Sequence, residues 1–352
     1  MADAPLCHVN LASDYRGGER QAEVLIRELA GRGRRQRLVV RRGNDLVRRC
    51  ADIPDLEVVE VASNPFAAAM ATRGSAIVHS HEARGVYSGL LASLLFGIPY
   101  VFTRRVPNPQ RPSFLRTLSY RRAAGPVAIS QAVVRSMSSL YPDIDFHIVP
   151  DAHASLQADA AVVEQIRSER AGKLLIGHVG ALDHSHKGQL TIIEAARLIQ
   201  HEHPDWHFML CGSGRDEERF RAAAEGLDNI EFVGFVDNIG DYYGAFDLFV
   251  FPSLKEAIGS AMIDAMYFGL PVVASNVDGI PEFIEDGVNG RLIEPEQPEQ
   301  LVAGIRDLLD DPEWTASVRA ANIEKAMTLD AAAMADRYEE IYEAIEHATR
   351  PG

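Results

Sequence analysis

Two short apolar runs flank a helical stretch between residues 247 and 274. The first, DLFVF, stops at Pro252; a polar loop follows, then an apolar-periodic stretch over 258–268 that Gly269 ends, then the second run, PVVA, at 271–274. Unbroken apolar runs of this length fit strands covered on both faces, so the segment reads as a strand, helix, strand unit of a parallel sheet. The same alternation recurs along the chain. Further strands are expected over 6–11, 37–42, 56–62, 76–81, 100–105, 125–130 and 146–150, and again over 174–179, 207–211 and 230–236. Helices are expected over 21–30, 86–96, 131–140, 159–171 and 189–200, with a strongly amphipathic one over 331–349. This is the pattern of doubly wound α/β domains. The stretch IVPDAH at 148–153 reads as a linker, which divides the chain into 1–152 and 153–330.

Composition narrows the class. At 352 residues the chain is long enough for two cores, and 47% hydrophobic with 24% charged residues is the make-up of a soluble globular protein. The start, MADAPLCHVNLAS, lacks the basic opening and long apolar run of a secretory signal, and no run reaches the length of a membrane span. Cys7, Cys50 and Cys211 are widely separated and read as buried thiols of a cytoplasmic protein. Charge is uneven: residues 1–150 carry 20 Arg, no Lys and 13 acids, a net of +7, against −22 for the remainder. A basic half joined to an acidic half implies two surfaces with different partners, unless the acidic helices serve only solubility.

Several stretches carry candidate chemistry. Glu256 lies beyond the carboxyl end of a strand, just before a helix whose first amides, at Gly259 and Ser260, are free to bind an anion. Gly17 and Gly18 stand between the first strand and its helix, where backbone can approach a ligand closely. Gly180 opens a loop that reaches Lys187-Gly188 at a helix start, a place where a cation is mildly unfavourable unless it serves a ligand. Gly212 belongs to a second glycine turn. His79 and His81 share one face of a strand end; with no third ligand spaced nearby in sequence, a metal is not expected, and a hydrogen-bonded structural histidine stays open for both. The segment 103–122, TRRVPNPQRPSFLRTLSYRR, holds six arginines, among them Arg104, Arg105, Arg111 and Arg116, and no acid, with a short helix bearing Phe114, Leu115 and Leu118. It suits an anionic partner, such as a lipid-linked diphosphate or anionic head groups, or forms a solvated face. Nucleic acid is not expected, because the chain is acidic and no aromatic platform accompanies the arginines.

The order Pro252, Ser253, Glu256, Asp264, Ala265, Met266, Gly269, Pro271, Val272, Val273, Asp278, Gly279 resembles the donor-sugar loop of the family 4 retaining nucleotide-sugar glycosyltransferases. Two positions depart from that family's pattern: Asp264 replaces a Glu, and Ala257-Ile258-Gly259 replaces Gly-Phe-Gly. A third departure is Ala181, where the family carries an Arg that binds the departing diphosphate together with the Lys matched by Lys187. The resemblance is dense over 170–310 and scattered before it. It implies a GT-B fold, with two Rossmann-like domains facing a central cleft and a C-terminal helix, 331–352, crossing back to the N-terminal domain. It further implies an N-terminal acceptor domain and a C-terminal donor domain.

The same resemblance implies roles. Glu256 holds the donor sugar's hydroxyls, Asp264 the ribose, His81 the sugar near its reacting carbon, and Lys187 the leaving phosphates. Gly17, Gly18, Gly180, Gly212, Ile258, Gly259 and Ser260 shape the donor site, while the backbone at Phe235 and Val236 pairs with the base. No convincing Asp-x-Asp stands at a strand end, since Asp143-Ile144-Asp145 precedes one. Transfer is therefore expected to retain the anomeric configuration and to need neither metal nor cofactor beyond the nucleotide-sugar co-substrate. The expected acceptor is a saccharide or lipid-linked glycan, in lipopolysaccharide or another cell-envelope polysaccharide, made by a cytoplasmic enzyme in peripheral contact with the inner membrane face. A soluble small-molecule acceptor, a nucleotide-sugar 2-epimerase and a binding protein without turnover remain as alternatives.

Overall fold

The computed structural model describes residues 4–108 and 111–349, so Pro109 and Gln110 of the arginine-rich loop and the outermost terminal residues lie outside it. The chain forms two compact units, Met1–Ala152 with Ala331–Gly352, and His153–Asp330.

In the first unit the strands are β1 (Leu6–Asn10), β2 (Gln36–Arg41), β3 (Leu56–Val61), β4 (Ile77–Ser80), β5 (Tyr100–Arg104), β6 (Gly125–Ala128) and β7 (His147–Ile148). Between them run α1 (Gly17–Gly31), α2 (Leu46–Arg49), α3 (Pro65–Ala71), α4 (Gly85–Phe96), α5 (Phe114–Arg121) and α6 (Gln131–Ser138). All strands are parallel, in the order β3-β2-β1-β4-β5-β6-β7. The order reverses between β1 and β4, and at such a switch point the loops leaving the two strands diverge and open a crevice at the sheet's carboxyl edge. The strand expected over 146–150 is only two residues long: it lies at the sheet edge, closed off by Pro150.

The second unit begins with α7 (Ala160–Ser168) and continues β8 (Leu174–Val179), α8 (Gln189–Ile199), β9 (Trp206–Cys211), α9 (Glu217–Ala223), β10 (Ile230–Gly234) and α10 (Ile239–Ala245). Next come β11 (Leu248–Phe251), α11 (Ser260–Tyr267), β12 (Val272–Ser275), β13 (Arg291–Ile293), α12 (Pro298–Asp310) and α13 (Pro312–Met327), and the chain then returns to the first unit as α14 (Ala331–Thr349). Its parallel sheet runs β10-β9-β8-β11-β12-β13, with the switch point between β8 and β11.

Each unit has its own core. Ile176, Phe208, Val250 and Val273 of the second sheet pack with Ile192 and Ile199 of α8 and Leu301, Ile305 and Leu308 of α12. In the first unit Leu6, Ile77, Val101 and Val127 meet Leu25 and Leu29 of α1 and the apolar stripe of α14, Met334, Tyr338, Ile341, Tyr342 and Ile345. Burying side chains of this size contributes about 1.5–3 kcal/mol each, which is why the C-terminal helix docks where its 3.6-residue stripe is covered. The three cysteines are buried and unpaired.

Candidate functional site

At the carboxyl edge of the second sheet, the loop after β8 (180–188) and the loop after β11 (252–259) leave neighbouring strands and are tied together. The amide of Leu254 donates to the carbonyl of His186 at 2.7 Å. Gly188, with φ +66°, packs so closely on Pro252 that an added Cβ would stand 1.8 Å from its carbonyl oxygen. The tie brings Lys187 and Glu256 into contact: Nζ and Oε2 are 2.5 Å apart, both side chains mostly buried, and the ammonium lies 5.3 Å from the Phe251 ring centre. The Glu256 amide donates to the Asp278 carboxylate at 3.0 Å, and its carbonyl accepts from Gly279. Asp278 holds φ +45°, a left-handed conformation that Asp tolerates, and its carboxylate fixes the Glu256 amide. Gly259, at φ +89°, caps α11 without a side chain, and the first amides of that helix have no carbonyl ahead of them.

Other predicted positions divide. Gly180 and Gly212 are pressed together, a Cβ on Gly212 falling 2.1 Å from the Gly180 carbonyl, so Gly212 serves close packing of two loops. Phe235 follows β10 and is 73% exposed; Val236 is half-buried. Ile258 turns inward at 1% exposure, leaving only its backbone for a ligand. Asp264 is 2% exposed, and its Oδ1 accepts from the Ala154 amide at 2.9 Å, which ties α11 to the chain entering the unit. Ala181 is exposed where a second cation was expected. Arg215, unnoticed in the sequence, lies in the loop after β9, with Nη2 3.0 Å from Asp183 Oδ1 and 3.4 Å from Ser185 Oγ. It is paired with Asp183 and, at 3.7 Å, with Asp216, and so places a cation beside the loop in which Ala181 stands. The signal was there: a cation immediately after Gly212-Ser213-Gly214.

In the first unit the switch point between β1 and β4 gathers Gly17, Gly18, His81 and Arg105. Gly17 and Gly18 begin α1, and an added Cβ on Gly18 would meet Arg105 Cδ at 3.6 Å. Glu19 is buried and fixes the turn, accepting from the Arg16 amide at 3.0 Å and from Asn10 Nδ2 at 3.3 Å. Glu82 accepts from the amides of Leu11, Arg84 and Gly85, fastening the end of β1 to the start of α4. His81 is 3% exposed. Arg104 and Arg105 do not lie on an open arginine face, contrary to expectation. Arg104 belongs to the buried strand β5 and donates to the Asn108 carbonyl, while Arg105 pairs with the buried Asp151 at 3.2 Å and donates to the His81 carbonyl at 3.1 Å. Arg111 is exposed and Arg116 half-buried, beside Phe114 at 85% and Leu115 at 51% exposure.

The histidine pair has a third member that sequence spacing hides. His8 on β1 is the register partner of His79, and ring nitrogens of His8, His79 and His81 lie within 4.8 Å of one another. Among the described residues this is the group able to hold a metal ion. Five of its six ring nitrogens are already hydrogen-bonded: His8 to Gln36 and His81, His79 to Tyr342 and Thr103. A metal must break that network to bind. Burial pushes the His8 imidazole down to about 4 and those of His79 and His81 well below the ordinary value, so all three are neutral.

Comparison with known proteins follows this geometry. Residues 173–311 match the family model described as Glycosyl transferases group 1, a span that contains every strand of the second sheet. A protein of Haemophilus influenzae described as an uncharacterized glycosyltransferase is 33% identical over 144 residues, and the match spans only 40% of each chain. Alpha-maltose-1-phosphate synthase of Mycolicibacterium smegmatis is 26% identical over 290 residues, 71% of this chain and 74% of that one. Among solved structures, Anabaena Alr3699/HepE in complex with UDP and glucose superposes with a TM-score of 0.84 at 18% identity, over 97% of this chain and 100% of that one, which shows a shared GT-B fold. In fold the chain is similar to GT-B glycosyltransferases, and its second unit, over residues 173–311, is similar to the group 1 glycosyl transferases.

Proposed function

We propose that the protein moves a sugar from a nucleoside diphosphate donor to a saccharide or lipid-linked acceptor, with retention at the anomeric carbon and without a metal ion. The observation that carries this reading is the Lys187–Glu256 pair at the switch point of the second sheet, beside the open first amides of α11. Cleaving the bond between sugar and diphosphate leaves negative charge on the phosphate oxygens and electron deficiency at the anomeric carbon. Fixed positive groups answer the first: Lys187, Arg215 and the α11 amides, placed where the charge develops. Glu256 answers the second, accepting hydrogen bonds from sugar hydroxyls and holding negative charge near the oxocarbenium-like centre. The acceptor hydroxyl attacks from the face that the diphosphate leaves, and a departing phosphate oxygen takes its proton. In this reading the first unit binds acceptor and presents His81 to a sugar.

The acceptor class follows from α5. Phe114 and Leu115 stand exposed beside Arg111, Arg116, Arg121 and Arg122, an apolar patch ringed by cations that fits a lipid-linked, anionic acceptor at the inner face of the cytoplasmic membrane. No helix of the described residues is long and apolar enough to cross a membrane. A cell-envelope glycan, such as a lipopolysaccharide, is the product this implies. One observation favours a second reading: with Ala181 exposed and Asp264 turned inward, the protein holds a nucleotide sugar without turnover. Incubation with UDP-, GDP- and ADP-glucose and a membrane extract, followed by NMR of the new linkage, separates the two. A product with the donor's anomeric configuration supports transfer, an inverted product refutes retention, and binding without product supports the second reading.

A further inference from the structure

The polarity of the histidine cluster can be read from the one partner that has no choice. Gln36, on β2, donates through Nε2 to the Ile26 carbonyl at 3.0 Å, which turns its Oε1 toward His8 Nε2 at 2.9 Å. A carbonyl oxygen only accepts, so His8 carries its proton on Nε2 and offers a bare lone pair at Nδ1. That lone pair lies 2.9 Å from His81 Nε2, which must therefore be the protonated nitrogen of His81. His81 Nδ1 is left bare, and it is buried with no hydrogen-bond partner among the described residues. His79 does not compete for it, since its two nitrogens are taken by Tyr342 and Thr103.

Arg105 completes the arrangement. Its Nη1 donates to the His81 carbonyl, while its Nη2 is also buried without a partner among the described residues. His81, after β4, and Arg105, after β5, thus each keep one unused polar atom, an acceptor and a donor. A buried polar atom left unpaired costs free energy, so a hydrogen-bond donor that reaches His81 Nδ1 recovers that cost. A phosphate oxygen meets the imidazole lone pair with its own, whereas a hydroxyl donates to it.

We propose that Gln36 and His8 are positioning residues that hold His81 in its Nε2–H tautomer, so that Nδ1 is left bare to accept a hydrogen bond from a sugar hydroxyl. The identity of the ligand as a sugar rests on the functional reading above; the tautomer does not.

The test uses the full chain labelled with 15N-histidine. Long-range proton–nitrogen correlation spectra distinguish a bare from a protonated ring nitrogen at each position, with His81→Asn supplying the assignment. Wild-type protein is expected to show His81 bare at Nδ1. Gln36→Leu removes the only fixed acceptor and is expected to give a mixture of tautomers and to raise KM for the nucleotide sugar about tenfold, with the affinity for the nucleoside diphosphate alone unchanged. Gln36→Glu restores both, because its buried carboxyl stays protonated and reproduces the two bonds. Should Gln36→Leu fail to fold, Gln36→Met, nearer in shape, tests the same point. Wild-type His81 protonated at Nδ1, or a tautomer indifferent to position 36, overturns the relay. If the tautomer is as stated but none of UDP-, GDP- or ADP-glucose shifts the His81 signals while the matching diphosphate binds, the sugar contact is overturned and the relay stands.

Discussion

Lys187 Nζ and Glu256 Oε2 are 2.5 Å apart although 69 residues separate them in the chain. The pair exists because two neighbouring parallel strands deliver their following loops to one edge, and because Gly188 lets those loops touch. In the proposed function the ammonium is the group that engages the diphosphate, and the carboxylate holds it in place until then. Removing either partner leaves the other charge poorly compensated in a half-buried place. Lys187→Ala is expected to weaken nucleoside diphosphate binding by about ten- to a hundredfold, read by calorimetric titration. Glu256→Gln is expected to leave the diphosphate affinity within a few-fold and to lower kcat for sugar transfer by about a hundredfold.

Gly188 is fixed by backbone rather than by chemistry. Alanine there meets both a left-handed φ of +66° and the Pro252 carbonyl at 1.8 Å. Gly188→Ala should therefore destabilise the second unit by about 2–4 kcal/mol, seen as a lowered urea midpoint. An unchanged midpoint would mean that the two loops are not packed as described.

The account of the missing cation is reciprocal. Arg215→Ala removes positive charge from beside the loop after β8 and should weaken diphosphate binding about three- to tenfold. Ala181→Arg, at an exposed position where a side chain can enter, should recover most of that loss in the double variant. Additive loss without recovery would place Arg215 outside the phosphate site.

Acid stability follows from the buried imidazoles. Folding holds His8 down to about 4 and His79 and His81 lower still, while the unfolded chain titrates them near 6.5. Below 6.5 the unfolded state binds protons that the folded one refuses, so stability falls as pH drops from about 6.5 toward 4, by up to about 1.4 kcal/mol per pH unit per histidine. Urea titrations at pH 7, 6 and 5 check this, and His79→Gln should flatten the slope.

Much of this was legible in the chain. Buried parallel strands are continuous apolar runs, and glycines mark their carboxyl ends, so both sheets and the loops bearing Lys187 and Glu256 could be read directly, whereas the return of the C-terminal helix was implied only by the family resemblance. What escaped depends on which strands become neighbours. His8 meets His79 and His81 only because β1 lies beside β4, and Gln36 joins them only because β2 lies on its other side. No local spacing encodes that adjacency. Arg104 and Arg105 were read as surface because their segment is rich in arginine; Arg104 belongs to a fully buried strand, and Asp151 draws Arg105 in. Asp264 reads as a ligand by position, and its bond to the Ala154 amide, 110 residues away in the chain, has no local signal in the sequence.

The central claim is that the carboxyl edge of the second sheet binds a nucleoside diphosphate through protein cations alone. Calorimetric titration with UDP, GDP and ADP, each with and without a strong chelator, tests it most directly. The account predicts that one of the three binds, that the chelator leaves its affinity unchanged, and that Lys187→Ala weakens it at least tenfold. Binding abolished by the chelator, or indifferent to Lys187, would contradict it.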